Sequence, residues 1–388
     1  MTRVLVVDDS QFMRSVVGNA LTRAGYDVDV AADGREAIER VRASDPDVIT
    51  MDVKMPELDG IEAVERIMRT KPTPILMLSA YTTDGAEATL DALERGAADV
   101  LQKPDGSGSQ NIGHLTEAVV RKVDDLANAD VSSLALARAA AAVHSTGANR
   151  AGARRPVAVA GAADAAREDS PEADRSTEPA EPIRLEGDLT TRPTIVLGAS
   201  TGGPKIVERI LAKLPAALEA TVFVVQHMPE EFTQRFADRL DSIGEYDVRE
   251  ARDGDTVGPG RAAVAPGGRH LEIAGAGPDG GLAVRLDDGE RRHGVRPAID
   301  VTMESAAECV DEGLCGVALT GMGRDGAAGI EAIAGAGGRT IAQDEETSPV
   351  FGIPCRAIET GCVDEVVPAE SIARAIVDAF TTDGETDE

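Results

Sequence analysis

Three short stretches of the chain carry residues able to act on an acyl group. Gly198-Ala-Ser200-Thr-Gly202 sets a serine between two glycines, directly after the apolar run Thr194–Ala199. Glycines there permit a tight turn that lifts a hydroxyl above a sheet, and a helix start behind it offers backbone N–H groups to an anion. The next apolar run, Thr221–Gln226, leads into His227, and a third leads into Gly-Met-Gly-Arg-Asp325-Gly. A serine nucleophile needs a base to take its proton, and the base needs a carboxylate to fix its tautomer. Ser200, His227 and Asp325 supply those parts, each at a predicted strand end. Their order differs from the Ser, Asp, His of α/β-hydrolases. Taken alone, Gly-x-Ser-x-Gly is a weak signal, because Gly198, Gly202 and Gly203 could instead admit a pyrophosphate. The spacing is not G-x-G-x-x-G, however, and the following strand ends in His227 rather than in an acid that would hold a ribose. Of the other histidines, His114 and His144 fall in helix or linker, while His270 and His293 are expected to shape the rim or to be structural.

A second set is acidic. Asp8 and Asp9 follow the first apolar run of the chain, Asp52 the third and Ser79 the fourth; Lys103 follows the fifth and precedes Pro104. Crowded carboxylates repel one another unless a cation sits among them, and the hard divalent ion that suits them is Mg²⁺. Asp52 would then be poised as a nucleophile toward a phosphoryl donor, with Mg²⁺ and Lys103 neutralising the charge of the acyl phosphate.

These placements require strands with ends on one edge. Residues 1–125 alternate the runs Arg3–Val7, Asp27–Ala31, Asp47–Met51, Pro74–Leu78 and Asp99–Gln102 with stretches of helical spacing such as Ile61, Val64, Ile67 and Met68. Five βα units predict an α/β domain with a five-stranded doubly wound parallel sheet. Residues 126–191 read as a flexible linker. Leu134–Val143 could extend a helix, and the residues after it are too poor in large apolar side chains to fold alone. Residues 192–381 read as a second α/β domain with a largely parallel sheet and a β-rich middle. Its expected strands are Thr194–Ala199, Thr221–Gln226, Ala262–Ala265, Leu271–Ile273, Ala283–Leu286, Gly316–Thr320 and Arg339–Ala342, with helices at Pro204–Leu214, Asp300–Cys309 and Gly326–Ala336. Residues 382–388 are expected to be a frayed tail.

Composition restricts the partners. The 388 residues carry 39 Lys and Arg against 68 Asp and Glu, a formal charge of −29. Such a surface repels phosphate backbones and anionic lipid, which disfavours nucleic acid and membrane surfaces as general partners. No apolar run approaches the roughly 18 residues of a membrane helix, and the first residues lack a signal-peptide pattern, so the expected location is cytoplasmic. Acidic excess with only six lysines fits a protein that stays hydrated in concentrated salt. Cys309, Cys315, Cys355 and Cys362 form no C-x-x-C pair and are expected to be reduced, mostly buried thiols, a structural zinc being the alternative.

On VDDS at 7–10, DVKMP at 52–56, LDG at 58–60, SA at 79–80 and KP at 103–104, the first 125 residues resemble the response-regulator receiver domain. The resemblance implies a flavodoxin-like fold and phosphorylation of Asp52 by a histidine kinase. It also implies Mg²⁺ held by Asp8 or Asp9, by Asp52 and by the backbone carbonyl of Lys54, with Ser79 and Lys103 as switch residues. Many receivers place Phe or Tyr three residues before that lysine; here it is Val100. On GASTGG at 198–203, QHMP at 226–229, APGGRH at 265–270, RPAID at 296–300, LTGMGRDG at 319–326 and QD at 343–344, the rest resembles the chemotaxis protein-glutamate methylesterase and glutamine deamidase family, CheB. This implies hydrolysis of glutamate methyl esters on chemoreceptors by Ser200, His227 and Asp325, and deamidation of glutamines, with no cofactor for the hydrolysis. Backbone N–H groups near Thr201 or Met322 are the oxyanion candidates. A receiver-linked hydrolase of small esters or peptides and a catalytically silent binding module are the rival readings. A DNA-binding output is disfavoured by charge and by the absence of a basic helix-turn-helix pattern.

Overall fold

Strands buried on both faces read as continuous apolar runs, and these build two parallel sheets. The computed structural model describes residues 2–79, 91–93, 95–103, 109–128, 182–185, 187–277 and 280–382. The N-terminal unit contains β1 (Arg3–Val7), α1 (Gln11–Arg23), β2 (Asp27–Ala31), α2 (Gly34–Ser44), β3 (Val48–Asp52), α3 (Gly60–Thr70), β4 (Ile75–Ser79), β5 (Asp99–Gln102) and α4 (Ser109–Asn128). Its sheet has the order β2-β1-β3-β4-β5, all parallel. The order reverses beside β1, which opens a crevice at the carboxyl ends of β1 and β3. Asp33 and Asp59 start α2 and α3 by accepting backbone N–H groups of the first turn. Apolar clusters fill both sides of the sheet. The fourth crossover falls mostly outside the described residues.

The C-terminal unit runs β6 (Thr194–Ala199), α5 (Gly203–Lys213), β7 (Thr221–Gln226), α6 (Glu230–Ile243), β8 (Asp247–Glu250), β9 (Thr256–Val257), β10 (Arg261–Val264), β11 (His270–Ala276), β12 (Leu282–Asp287), α7 (Ile299–Cys309), β13 (Leu314–Ala318), α8 (Ala327–Gly335), β14 (Arg339–Gln343), α9 (Ile353–Glu359), β15 (Glu365–Val367) and α10 (Ile372–Asp378). Seven strands form one parallel sheet, β15-β14-β13-β6-β7-β10-β8, and β11-β12-β9 form a separate antiparallel sheet. From β6 the chain moves toward β7 and returns to β13 on the other side, so the switch point lies at β6 and β13.

Several expected bounds move. Strands expected at Asp47–Met51 and Pro74–Leu78 lie one residue later. Pro74 has no N–H for the ladder and contributes only its carbonyl, to Ile49 N. The strand expected at Gly316–Thr320 ends at Ala318, because Thr320 N turns to the side chain of Gln343 (2.9 Å) instead of a strand. Helix α4 continues to Asn128, past the expected domain end. The last residues of the expected linker lie against the C-terminal core: Ile183, Leu185 and Leu189 pack on it, and Ile183 N donates to Lys213 O. Thr382, expected in the tail, donates its N–H to Asp188 O. The remainder of the linker, including His144 and the Leu134–Val143 extension, lies outside the described residues. Of the cysteines only Cys315 is buried; the other three are half-buried, all four are free, and no Cys-containing ligand cluster occurs among the described residues.

Candidate functional site

Ser200 and His227 are neighbours because β6 and β7 pair in parallel register, Ala199 opposite Gln226, and each functional residue follows directly. His227 N continues the ladder to Ala199 O at 3.0 Å. The turn after β6 is tied down through its backbone. Ser200 N donates to Thr320 O (3.0 Å), Ser200 O accepts from Gly203 N (2.9 Å) and from Gln226 Nε2 (2.7 Å), and Thr320 Oγ1 donates to Thr201 O (2.9 Å). Gly203 is required by closeness: a Cβ there would stand 2.3 Å from Gln226 Oε1 and 2.6 Å from Ala199 Cβ. Gly202, at φ +78°, lets the chain turn into α5, and Pro204 then opens the helix.

Asp325 arrives from the loop after β13, on the other side of β6. It is 2% exposed, and its Oδ2 lies 2.8 Å from His227 Nε2. Its oxygens also accept the first N–H groups of α7, Ile299 N at 2.7 Å and Asp300 N at 3.0 Å. Burial alone would push this carboxyl up. The bond and charge of His227, with the two amides, outweigh it and hold Asp325 below the usual carboxylate range. An ionised carboxylate only accepts, so Nε2 carries a proton toward Asp325, and Nδ1 is the ring nitrogen that Asp325 does not engage. The ring is thus turned opposite to the serine-protease template, where Nδ1 faces the acid. Ser200 is 7% exposed, and its hydroxyl has no hydrogen bond among the described residues. Base–nucleophile bonds are often long before substrate binds.

Thr201 and Met322 are in contact, Thr201 Oγ1 lying 3.3 Å from Met322 Sδ, and neither backbone amide has an acceptor among the described residues. The Thr201 hydroxyl also donates to Asp99 Oδ2 of the N-terminal unit, and Gly202 N donates to Ala98 O at 3.2 Å. Beside them Phe232 of α6, 2% exposed, packs into the apolar cluster of the N-terminal unit, with Met228 at its edge.

His270 is fixed on both sides. Its Nδ1 accepts from Ala298 N (3.1 Å), so its Nε2 donates to Glu290 O (3.0 Å), which makes it a buried structural imidazole. His293 bonds Asp300. His114 lies exposed on α4. Sequence reasoning did not find Asp300, Gln226 or Thr320; only their place inside RPAID, QHMP and LTGMGRDG marked them.

At the first sheet, Asp8, Asp9 and Asp52 bring oxygens within 4.8 Å of one another. Lys103 Nζ pairs with Asp8 (2.7 Å) and Asp52 (2.8 Å). Burial pushes Asp52 up, Lys103 opposes it and the charge of Asp8 adds to it, for a net rise. Three carboxylates against one ammonium form the hard-oxygen, electron-rich set that suits Mg²⁺. Ser79, fully buried, ends β4, and its carbonyl accepts from Lys103 N at 2.7 Å. Lys54 is exposed just after β3, and Val100 is buried within β5.

Sequence comparison places a known family on each unit. The response regulator receiver domain matches residues 4–109 and the CheB methylesterase domain residues 195–376. A protein-glutamate methylesterase/protein-glutamine glutaminase of Halobacterium salinarum is 48% identical, covering 98% of this chain and 99% of the relative. Proteins of the same name from Natronomonas pharaonis and Pyrococcus abyssi are 46% and 42% identical over 97% of this chain, covering 97% and 93% of theirs. The crystal structure of the Thermotoga maritima CheB methylesterase catalytic domain is 41% identical, covers 48% of this chain and 98% of its own, and has a TM-score of 0.46. With a receiver preceding the hydrolase unit and near-complete coverage of these relatives, the chain belongs to the CheB methylesterase family.

Proposed function

We propose that the chain removes methyl groups from glutamate methyl esters of chemoreceptors, and ammonia from receptor glutamines, under control of its receiver. The observation that carries this reading is the convergence of Ser200, His227 and Asp325 at three adjacent strand ends, with Asp325 bonded to His227 at 2.8 Å. Ser200 Oγ attacks the γ-carbonyl while His227 Nδ1 takes its proton, and the resulting imidazolium is stabilised by Asp325. Collapse of the tetrahedral oxyanion breaks the ester C–O bond, and methanol leaves with the proton from His227. Water attacks the acyl-enzyme with His227 again as base, releasing glutamate and restoring Ser200. For a glutamine the leaving group is ammonia. The free amides of Thr201 and Met322 are the candidate donors to the oxyanion.

In the receiver, Asp52 accepts the phosphoryl group from a chemotaxis histidine kinase. Asp8, Asp9, Asp52 and the carbonyl of Lys54 would hold Mg²⁺, which supplies charge neutralisation at the transferring group. Lys103 holds the phosphoacceptor side chain, and Ser79 lies at the neighbouring strand end to answer its modification. The domain division is receiver, linker and hydrolase, the last starting where Ile183 joins its core. A cytoplasmic location fits this partner set, and among the described residues no helix is long and apolar enough to cross a membrane.

Methanol release from methylated receptor membranes tests the reading. Ser200→Ala and His227→Ala should abolish it, and Asp325→Asn should lower kcat by about a thousandfold or more, because the tautomer is set wrongly. Substantial release by Ser200→Ala would refute the nucleophile. Activity on generic esters but none on methylated receptors would refute the substrate.

A further inference from the structure

The most buried carboxylate near Ser200 is one that the proposed hydrolysis does not use. Asp300, the second residue of α7, is 0% exposed. Its backbone N–H binds Asp325, but its side chain turns to the neighbouring helix: Oδ1 accepts Gly326 N and Gly329 N, both at 2.8 Å, at the start of α8. Asp325 meanwhile accepts the first N–H groups of α7. Two helix starts thus exchange carboxylates, each satisfying donors that have no partner within their own helix. Asp300 Oδ2 is held by His293 Nε2 at 2.8 Å, with the Arg292 guanidinium at 3.7 Å. His293 keeps this place at φ +52°, a strained backbone for a histidine, which requires support from its surroundings.

The loop that delivers Asp325 contains Gly321, Gly323 and Gly326, so its own backbone does little to fix the carboxylate. The contact to Gly326, the next residue, pins it. We infer that Asp300, held by His293, is a positioning residue for hydrolysis that acts through Asp325 on His227. The inference rests on the assignment of Ser200, His227 and Asp325 as nucleophile, base and orienting acid. Each carboxylate oxygen already has an N–H donor, so the group is a hydrogen-bonded lattice in which one buried anion backs another. The other charged or titratable groups around it are Arg292, paired with Glu304, and His270, bonded to Ala298 N and Glu290 O. Arg324 and the only charged residue of α8, Glu331, are exposed.

The test uses full-length protein activated by a small-molecule phosphodonor. Asp300→Asn keeps an oxygen for Gly326 and Gly329, removes the charge and turns an amide donor toward His293 in place of the acceptor Oδ2. Losing a buried anion that favours the imidazolium of His227 should move the acidic limb of kcat/KM to lower pH by about half a unit. Loss of positioning should cut kcat about tenfold with KM nearly unchanged. His293→Ala should lower kcat similarly, and His293→Gln, which retains an N–H donor, should recover most of it. Activity lost only in proportion to the unfolded fraction, with an unmoved pH profile, would overturn the inference. So would wild-type kcat in both His293 variants. Should Asp300→Asn not fold, the His293 pair decides on the same readout. Ser200→Ala run alongside separates the two levels: its retention of activity would bring down the catalytic assignment itself, whatever Asp300 does.

Discussion

A carboxylate can only accept, and at the residue scale that fixes much of this site. Asp325 sets the tautomer of His227, and the amides of α7 set Asp325. Ser200, His227 and Asp325 could be read from the sequence because each follows an apolar run or stands in a glycine loop beside one. Asp300 could not, since nothing local says that the second residue of a helix will turn its side chain to the next helix. The same dependence on surroundings governs Tyr246, 2% exposed, whose hydroxyl donates to Pro215 O at 3.2 Å. Burial pushes it up to about 12; the Ala220 backbone opposes this and the charge of Glu245 adds to it. Unfolded, it titrates near 10. A group bound more tightly to its proton in the folded state contributes stability that is whole below pH 10 and is lost as pH rises toward 12. The shift corresponds to roughly 2–3 kcal/mol. Urea unfolding at steps from pH 9 to 12 should therefore show a steeper alkaline loss for wild type than for Tyr246→Phe. Parallel curves would refute this role.

At the scale of elements, function arises from parallel strands ending on one edge. The main strands were legible because they are buried on both faces and read as unbroken Val, Ile and Leu. What escaped was short or mixed. β8 spells Asp-Val-Arg-Glu at the sheet edge, β9 has two residues, and half-exposed β15 has three. Helix α6 escaped because its apolar positions Phe232, Phe236 and Leu240 are diluted by charge. The serine turn was legible as a motif, but its tolerance was not. Gly203 sits where a methyl group would strike both Gln226 and Ala199, on the two strands that lead into His227 and Ser200. Gln226 cannot retreat without releasing the carbonyl of Ser200. Gly203→Ala should thus displace the hydroxyl relative to His227 and cost about a hundredfold in kcat. Gly254→Ala is a poor control because its φ is +82°; Gly258, with open space around it and ordinary φ, is a sound one. A Gly203→Ala enzyme as fast as Gly258→Ala would show that the turn can relax.

Charge and contact act at the scale of the whole molecule. Net charge of −29 opposes compactness in dilute buffer, where the screening length is about 30 Å at 0.01 M against about 3 Å at 1 M. Exposed pairs such as Arg3–Asp27 weaken in salt, but each is small beside the collective repulsion. The melting temperature should rise by many degrees between those limits, in keeping with the kinship to Halobacterium and Natronomonas proteins, and a flat profile would refute this. The contact between the units leads to the last prediction. Thr201, next to Ser200 and a candidate oxyanion donor, gives its hydroxyl to Asp99, while Gly202 N is taken by Ala98 O and Phe232 is sunk into the receiver core. Receiver residues therefore hold the serine turn itself, next to Ser200. Asp99 begins β5 and Lys103 follows its end, so the grip on the hydrolase and the grip on Asp52 share one strand. On the proposed reading a phosphoryl group on Asp52 changes what Lys103 holds, and β5 links Lys103 to the Asp99 that holds Thr201, with Val100 between them in place of an aromatic side chain. Initial methanol-release rates at equal concentration test this. A fragment starting at Pro182, which keeps Ile183 and Leu185 on the core, should exceed the unphosphorylated full-length protein. Asp99→Ala should raise the basal rate toward the fragment's, because it removes the hold on Thr201 and leaves Asp52 intact. Asp52→Asn should keep the basal rate and lose stimulation by a phosphodonor. A fragment no faster than its unphosphorylated parent would mean that the receiver does not restrain the serine turn, and its contacts with Thr201 and Gly202 would then serve docking alone.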